Sequence, residues 1–279
     1  GGEAASTGAI EPGRDIEDLQ ARAHAPSRGV RLKLDFQEGE FVIRAGPPGS
    51  EIHAEGDFDP RDYELTQETE AGDGIYDHKV TIRFHRKVPL LFFLVKGGFQ
   101  DGANENKITV TIPEDLPTAL SLNLSKGESH VDLGGLDLRE LDAQMAMGDH
   151  NLRFSRPLQN ELQKMELRTG MGDIDLEELG NARAHEVAIR GRMGDMRVDF
   201  GGDWPGAFSS RVNLTFGMGD CRVRIPRDVR LSPDSSATAF LGESTMRREL
   251  DEGGELPGDA PTVEIHASIR MGDLSVSKE

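Results

Sequence analysis

Met165-Glu166-Leu167-Arg168-Thr169-Gly170-Met171-Gly172-Asp173-Ile174-Asp175-Leu176 carries a pattern that recurs through the second half of the chain. Its centre, Met-Gly-Asp, occurs five times: Met147-Gly148-Asp149, Met171-Gly172-Asp173, Met193-Gly194-Asp195, Met218-Gly219-Asp220 and Met271-Gly272-Asp273. Successive glycines lie 24, 22, 25 and 53 residues apart. Lys126-Gly127-Glu128 fits 21 residues before the first copy, and Leu241-Gly242-Glu243 divides the long gap into 23 and 30. A fixed period of this size is the signature of a stacked repeat fold.

Apolar residues alternate on both sides of each glycine. Met165 and Leu167, Val187 and Ile189, and Val212, Leu214 and Phe216 precede it at odd offsets, in phase with the Met itself. Ile174 and Leu176, Met196 and Val198, and Cys221, Val223 and Ile225 follow it at even offsets. Alternation with period two is a half-buried strand. The parity changes at Gly-Asp, so a straight strand would send Met171 and Ile174 to opposite faces. We therefore read Gly-Asp as a corner, with Gly supplying backbone freedom and Asp bonding local amides. The expected fold is all-β: a single-stranded β-solenoid, or β-helix, of roughly 21–25-residue coils. Its structural corners are Gly127, Gly148, Gly172, Gly194, Gly219, Gly242 and Gly272.

Stacking makes columns that can be checked. Five residues past the corner glycine the outward column reads Asp132, Arg153, Glu177, Asp199, Arg224, and three past it His130, Asn151, Asp175, Arg197, Arg222. Asp175 should pair with Arg197 and Arg153 with Glu177, each worth about 0.2–1 kcal/mol.

Three regions follow. Residues 1–27 are a polar tether with room for a short helix near Asp15–Arg22. Residues 28–114 form a smaller β domain or degenerate first coils, with Gln37-Glu38-Gly39-Glu40 as a possible corner and Pro89–Val95 as a buried strand. Residues 115–279 are the solenoid, interrupted by an irregular stretch near 226–261. The atypical first and last coils are candidate caps for exposed strand edges, and oligomeric state stays open.

The balance of 32 Lys and Arg against 50 Asp and Glu gives a net charge of −18, which argues against nucleic acid as a partner. A single cysteine, Cys221, precludes an internal disulfide and reads as a small buried hydrophobe. No apolar run reaches the roughly 18 residues needed to span a bilayer. The chain starts Gly1-Gly2 without Met, so a signal or anchor segment upstream of Gly1 is an expectation.

Several residues are candidates for chemistry. The column Asp149, Asp173, Asp195 and Asp220 places carboxylates about 4.8 Å apart, where like charges repel by roughly 0.9 kcal/mol in water. A calcium ion would relieve this; a solvated Asp turn explains each residue alone and is preferred. The column Met147, Met171, Met193, Met218, Met271 reads as inward core filling rather than a soft-metal ladder. His130 and His150 are placed at exposed or corner positions. Asp173 with Asp175, or Asp195 with Asp199, could form a glycosidase-like acid pair, but Arg neighbours already engage them. No nucleophile elbow, phosphate loop or zinc spacing is present. No catalytic residue and no cofactor is assigned.

The run Leu120-Ser121-Leu122-Asn123-Leu124-Ser125-Lys126-Gly127-Glu128-Ser129-His130-Val131-Asp132-Leu133-Gly134-Gly135-Leu136 resembles the opening of the toast-rack β-solenoid family. So do the Gly-Asp coils, the Gly201-Gly202-Asp203-Trp204 loop and Ile225-Pro226-Arg227-Asp228-Val229, while Val30–Leu65 resembles the family's N-terminal β domain. The family is related to LiaF-type C-terminal domains and to adhesin-like proteins. The resemblance implies a non-enzymatic structural or interaction module, exported or associated with the bacterial envelope. It implies no catalytic residues; the partner expected is an envelope protein or a polysaccharide whose identity no residue names. Two alternatives belong to other classes: a polysaccharide lyase or hydrolase on a β-helix, by fold analogy, and a calcium-dependent binding protein. One Trp, two Tyr and tight coils argue against the enzyme.

Overall fold

The computed structural model describes residues 6–9, 29–87, 106–247 and 256–279. The tether with its short helix and the Pro89–Val95 strand lie outside the described residues. The fold is an all-β solenoid whose strands join one continuous sheet system. Its regular helical content among the described residues is a 3-10 turn at Leu179–Ala182.

Four regular coils each contain two strands that meet at a corner: β8 (Leu138–Met147) and β9 (His150–Arg153), β10 (Leu162–Met171) and β11 (Ile174–Glu177), β12 (Ala184–Met193) and β13 (Met196–Asp199), β14 (Ser209–Met218) and β15 (Cys221–Ile225). Before them come β1 (Ser6–Ala9), β2 (Val30–Gly46), β3 (His53–Asp57), β4 (Tyr63–Ala71), β5 (His78–Arg86), β6 (Lys107–Pro113) and β7 (Thr118–Asp132). After them come β16 (Arg230–Leu231), β17 (Ser236–Leu241), β18 (Ser244–Arg247), β19 (Thr262–Met271) and β20 (Leu274–Lys278). Neighbouring coils pair in parallel, residue for residue: Met165 faces Val187, Leu167 faces Ile189 and Ile174 faces Met196. Parallel pairing follows from a chain that returns to the same side on every turn.

The inner faces hold one apolar core. Leu167, Ile189, Val212 and Ile265 are fully enclosed, and Phe36, Phe41, Phe84, Phe154 and Phe200 are its largest buried rings. Outer faces carry the charge, as alternation demands.

The parity switch lies two residues earlier than the sequence suggests. In every coil pair the residue two before the corner glycine drops out of the ladder. Thr169 pairs with Met145 and Met171 with Met147, but Gly170 is skipped; Phe216 pairs with Ile269 and Met218 with Met271, but Gly217 is skipped. One unpaired residue reverses the facing of all that follow. Met and Asp on either side of the glycine then lie outside, and Ile174 or its equivalent lies inside.

The two ends depart from sequential order. The 17-residue β2 pairs along β7, bringing Gly39 beside Gly127. On its other side β5 covers Val30–Phe36 and β6 covers Glu40–Gly46. Antiparallel strands finish this end: β3 on β6, β4 on β5, and β1 on β4. At the other end β19 and β20 lie between the β14–β15 coil and the β17–β18 pair. Gly242 therefore stacks outside Gly272, rather than between Gly219 and Gly272 as even spacing along the chain implies.

Candidate functional site

The corner edge is built from three adjacent columns. The glycine column runs Gly39, Gly127, Gly148, Gly172, Gly194, Gly219, Gly272, Gly242, all with φ between 112° and 149°. An L side chain rarely adopts that backbone, and a Cβ on Gly172 would lie 2.0 Å from the carbonyl oxygen of Gly148. The amide of Gly172 donates to the Met193 carbonyl at 3.0 Å, and Gly194 repeats this to Met218 at 3.0 Å.

The acidic column carries backbone hydrogen bonds. Asp149 Oδ1 accepts from the Asp173 amide at 3.1 Å, Asp173 from Asp195 at 3.1 Å, Asp195 from Asp220 at 3.3 Å and Asp220 from Asp273 at 3.2 Å. Each carboxylate thus caps the next coil's corner, a charge-assisted bond to backbone N–H. Among the described residues no group of three or more His, Cys, Asp or Glu side chains is arranged to hold a metal ion.

The methionine column is on the outside, not in the core. Met147, Met171, Met193, Met218 and Met271 are 42–46% exposed, because the skipped residue before each one turns its side chain outward. Leu241 continues the stripe at the end coil, while Lys126 and Glu38 occupy the same register at the other. Three inward methionines, Met145, Met165 and Met196, are fully buried.

The outer face beyond the corner forms a shallow groove of about 470 Å³ lined by Asp175, Glu177, Arg197, Asp199, Arg222 and Arg224. The stacked columns pair as their spacing demands. Arg197 reaches Asp175 at 3.2 Å, Arg224 reaches Asp199 at 2.9 Å, and Arg153 lies 3.9 Å from Glu177 and 2.7 Å from Glu178. Exposed pairs of this kind contribute about 0–1 kcal/mol each. Asp175 and Asp199, two members of the candidate acid pairs, are engaged by arginine.

Inside the corner one polar pair interrupts an apolar column. The position two past the glycine reads Phe41, Ser129, His150, Ile174, Met196, Cys221, Leu274. His150 is buried, not exposed, because an even offset after the corner points inward. The Ser129 hydroxyl and His150 Nδ1 are 2.7 Å apart, and His150 Nε2 has no partner among the described residues. Burial holds the imidazole below its ordinary pKa, against opposing contributions from the Met147 backbone and Asp149. Burial also pushes the Cys221 thiol up to about 12, so it is an inert core group. His130 is exposed.

A pH dependence follows from His150. An unfolded chain takes up this proton near pH 6.5, whereas the folded chain resists it until lower pH. Stability is therefore lost as pH falls from about 6.5 through the depressed value. The double change Ser129→Ala with His150→Ile should flatten this part of the profile, read as the difference in melting temperature between pH 7 and pH 5. An unchanged difference would exclude His150 as its source.

A second cluster was missed in the sequence. Glu38 stands where later coils carry Met, but it is tucked under the terminal strands. Tyr63 Oη and Arg86 Nε both donate to Glu38 Oε1 at 2.5 Å, and Arg86 lies 5.1 Å over the Tyr63 ring. Burial raises the Glu38 pKa, but the hydrogen bonds from Tyr63 and Arg86 outweigh it and hold the carboxyl below its ordinary value. Burial and the bond to Glu38 push Tyr63 up to about 12. This cluster ties the capping strands to the first corner. Its one sequence signal is an acid at a column position otherwise occupied by Lys, Met or Leu.

Among the described residues no helix is long and apolar enough to cross a membrane. No curated protein matches the sequence. Among solved structures, a candidate cell adhesion protein from Clostridium sporogenes is 13% identical, with 99% of each chain covered and a TM-score of 0.44. A candidate adhesin from Bacteroides fragilis is 10% identical, covering 98% of this chain and 96% of that one, with a TM-score of 0.31. A candidate lipid-binding protein from Parabacteroides distasonis is also 10% identical at the same coverage, with a TM-score of 0.33. Superpositions this loose carry no residue or role across. The family model described as the N-terminal domain of toast_rack (DUF2154) matches residues 18–177, which include the first corners and the acidic ladder as far as Asp173. That match covers more than half of the 279 residues, and the chain belongs to the toast_rack family.

Proposed function

We propose that this protein is a non-enzymatic structural or adhesive module of the bacterial cell envelope, presenting a rigid sheet surface to an envelope protein or polysaccharide. One observation carries the reading: the corner carboxylates and two of the groove arginines are used in coil-to-coil bonding. The Asp ladder caps backbone amides, and in the groove Arg197 is paired with Asp175 and Arg224 with Asp199. Such a surface is stiff and displays repeated chemistry at strand spacing, which suits multivalent contact. The envelope location and the absence of catalysis belong to this reading.

The test pairs binding with turnover. The purified chain is incubated with insoluble bacterial envelope fractions and with a panel of bacterial and plant polysaccharides. Sedimentation with the envelope fraction, without release of reducing or unsaturated sugar ends, is expected. Turnover on any polysaccharide would favour the lyase or hydrolase instead.

A further inference from the structure

The two ends of the solenoid are finished differently. At the first end the antiparallel strands β1, β3 and β4 cover the parallel stack, and the Tyr63 ring stacks on Phe84 at 5.3 Å. At the other, β17 and β18 pair with β19 and β20 on one side, and among the described residues no strand pairs with their far side. That far side is a β edge with unpaired backbone groups.

Among the described residues the core is also open there. Ala237, Ala239 and Met246 follow the inward parity but are only partly buried, while their partners Ala267, Ile269 and Val276 are enclosed. Phe240 is 82% exposed and Leu241 54% exposed. Natural edges are commonly protected by lysine, proline or inward charge. Ser236-Ala237-Thr238-Ala239-Phe240-Leu241 has none of these. Residues 236–247 hold Glu243 and Arg247 as their charged groups and are neutral overall, in a chain of net charge −18.

We infer that this end coil is a self-association edge, on which a second copy of the chain docks its own β17–β18 across a twofold axis. The rotation reverses strand direction, so the edges meet as antiparallel pairs, and Ala237, Ala239 and Met246 of each copy cover the other's open core. Local neutrality selects a second copy. Over most of the surface two such acidic chains repel, and across residues 236–247 themselves they do not. The methionine stripe does not offer the same contact, because the Asp column beside it would face its own image. This inference is independent of the envelope reading.

The test is sedimentation velocity of the 279-residue chain at micromolar and submillimolar concentration. A species of twice 30.5 kDa that grows with concentration is expected. Phe240→Lys and, separately, Thr245→Lys replace exposed residues and put like charges across the twofold axis. Each should weaken association by at least about tenfold without lowering the melting temperature at concentrations where the chain is monomeric, so one soluble variant suffices if the other misfolds. Met193→Lys, on the corner stripe, should leave the dimer intact. A monomer at every concentration overturns the inference. So does a dimer broken by Met193→Lys but not by the end-coil changes, and so does a monomer that captures a different chain at this edge.

Discussion

Replacing Gly172 with alanine is expected to cost about 3–5 kcal/mol of stability and to lower the melting temperature by roughly 10 °C. Two effects add. The residue has a φ of +129°, and a Cβ there would sit 2.0 Å from the Gly148 carbonyl oxygen. The backbone cannot shift away cheaply, since the Gly172 amide bonds Met193 and the Asp173 amide bonds Asp149. Gly258→Ala is the control. Its φ is not positive, nothing lies within 4 Å of the added carbon, and a change below about 0.5 kcal/mol is expected. Urea unfolding followed by circular dichroism reads both. Equal midpoints for the two variants would remove the glycine column from the account of stability.

Phe200→Ala should be comparably costly, at about 3–5 kcal/mol, because the ring is 1% exposed and its loss leaves a cavity between coils. The backbone bonds at this residue do not involve the ring: its amide donates to Arg224 at 3.0 Å, and Trp204 Nε1 donates to its carbonyl at 2.8 Å. Any loss of stability therefore reports packing. Phe240→Ala removes the same atoms from a ring that is 82% exposed and should change stability by less than about 0.5 kcal/mol. The two variants should separate clearly in the same unfolding assay. A Phe240→Ala effect as large as that of Phe200→Ala would mean the end coil is covered in the isolated chain.

The corner period was legible because its chemistry admits few substitutes. Only glycine tolerates the stacked carbonyl, and Asp supplies the acceptor for the next amide. The ion pairs Asp175–Arg197 and Arg153–Glu177 followed from register alone. The outward methionines were not legible. The residue skipped before them is Gln37, Ser125, Ala146, Gly170, Arg192, Gly217, Arg270 or Phe240, which share no side-chain property. A backbone irregularity without a residue preference leaves no trace in composition. The buried His150 was readable, since its even offset after Gly148 is the inward parity of Ile174 and Cys221. The expectation that histidines sit in water overrode that signal. The reversed order at the two ends had no signal, because spacing orders repeats along the chain and not along the stack.

That reversed order bears on how the molecule is made. Leaving the ribosome, residues 236–247 emerge before 262–278, the strands on which they rest. Coils up to β15 can be laid down one after another, each on a finished template. The final segment must instead slide in beneath a coil already synthesised, as a closing stitch rather than another layer. Until it does, the outermost coil has nothing to hold it, so completion of this end is coupled to the arrival of the last strand pair.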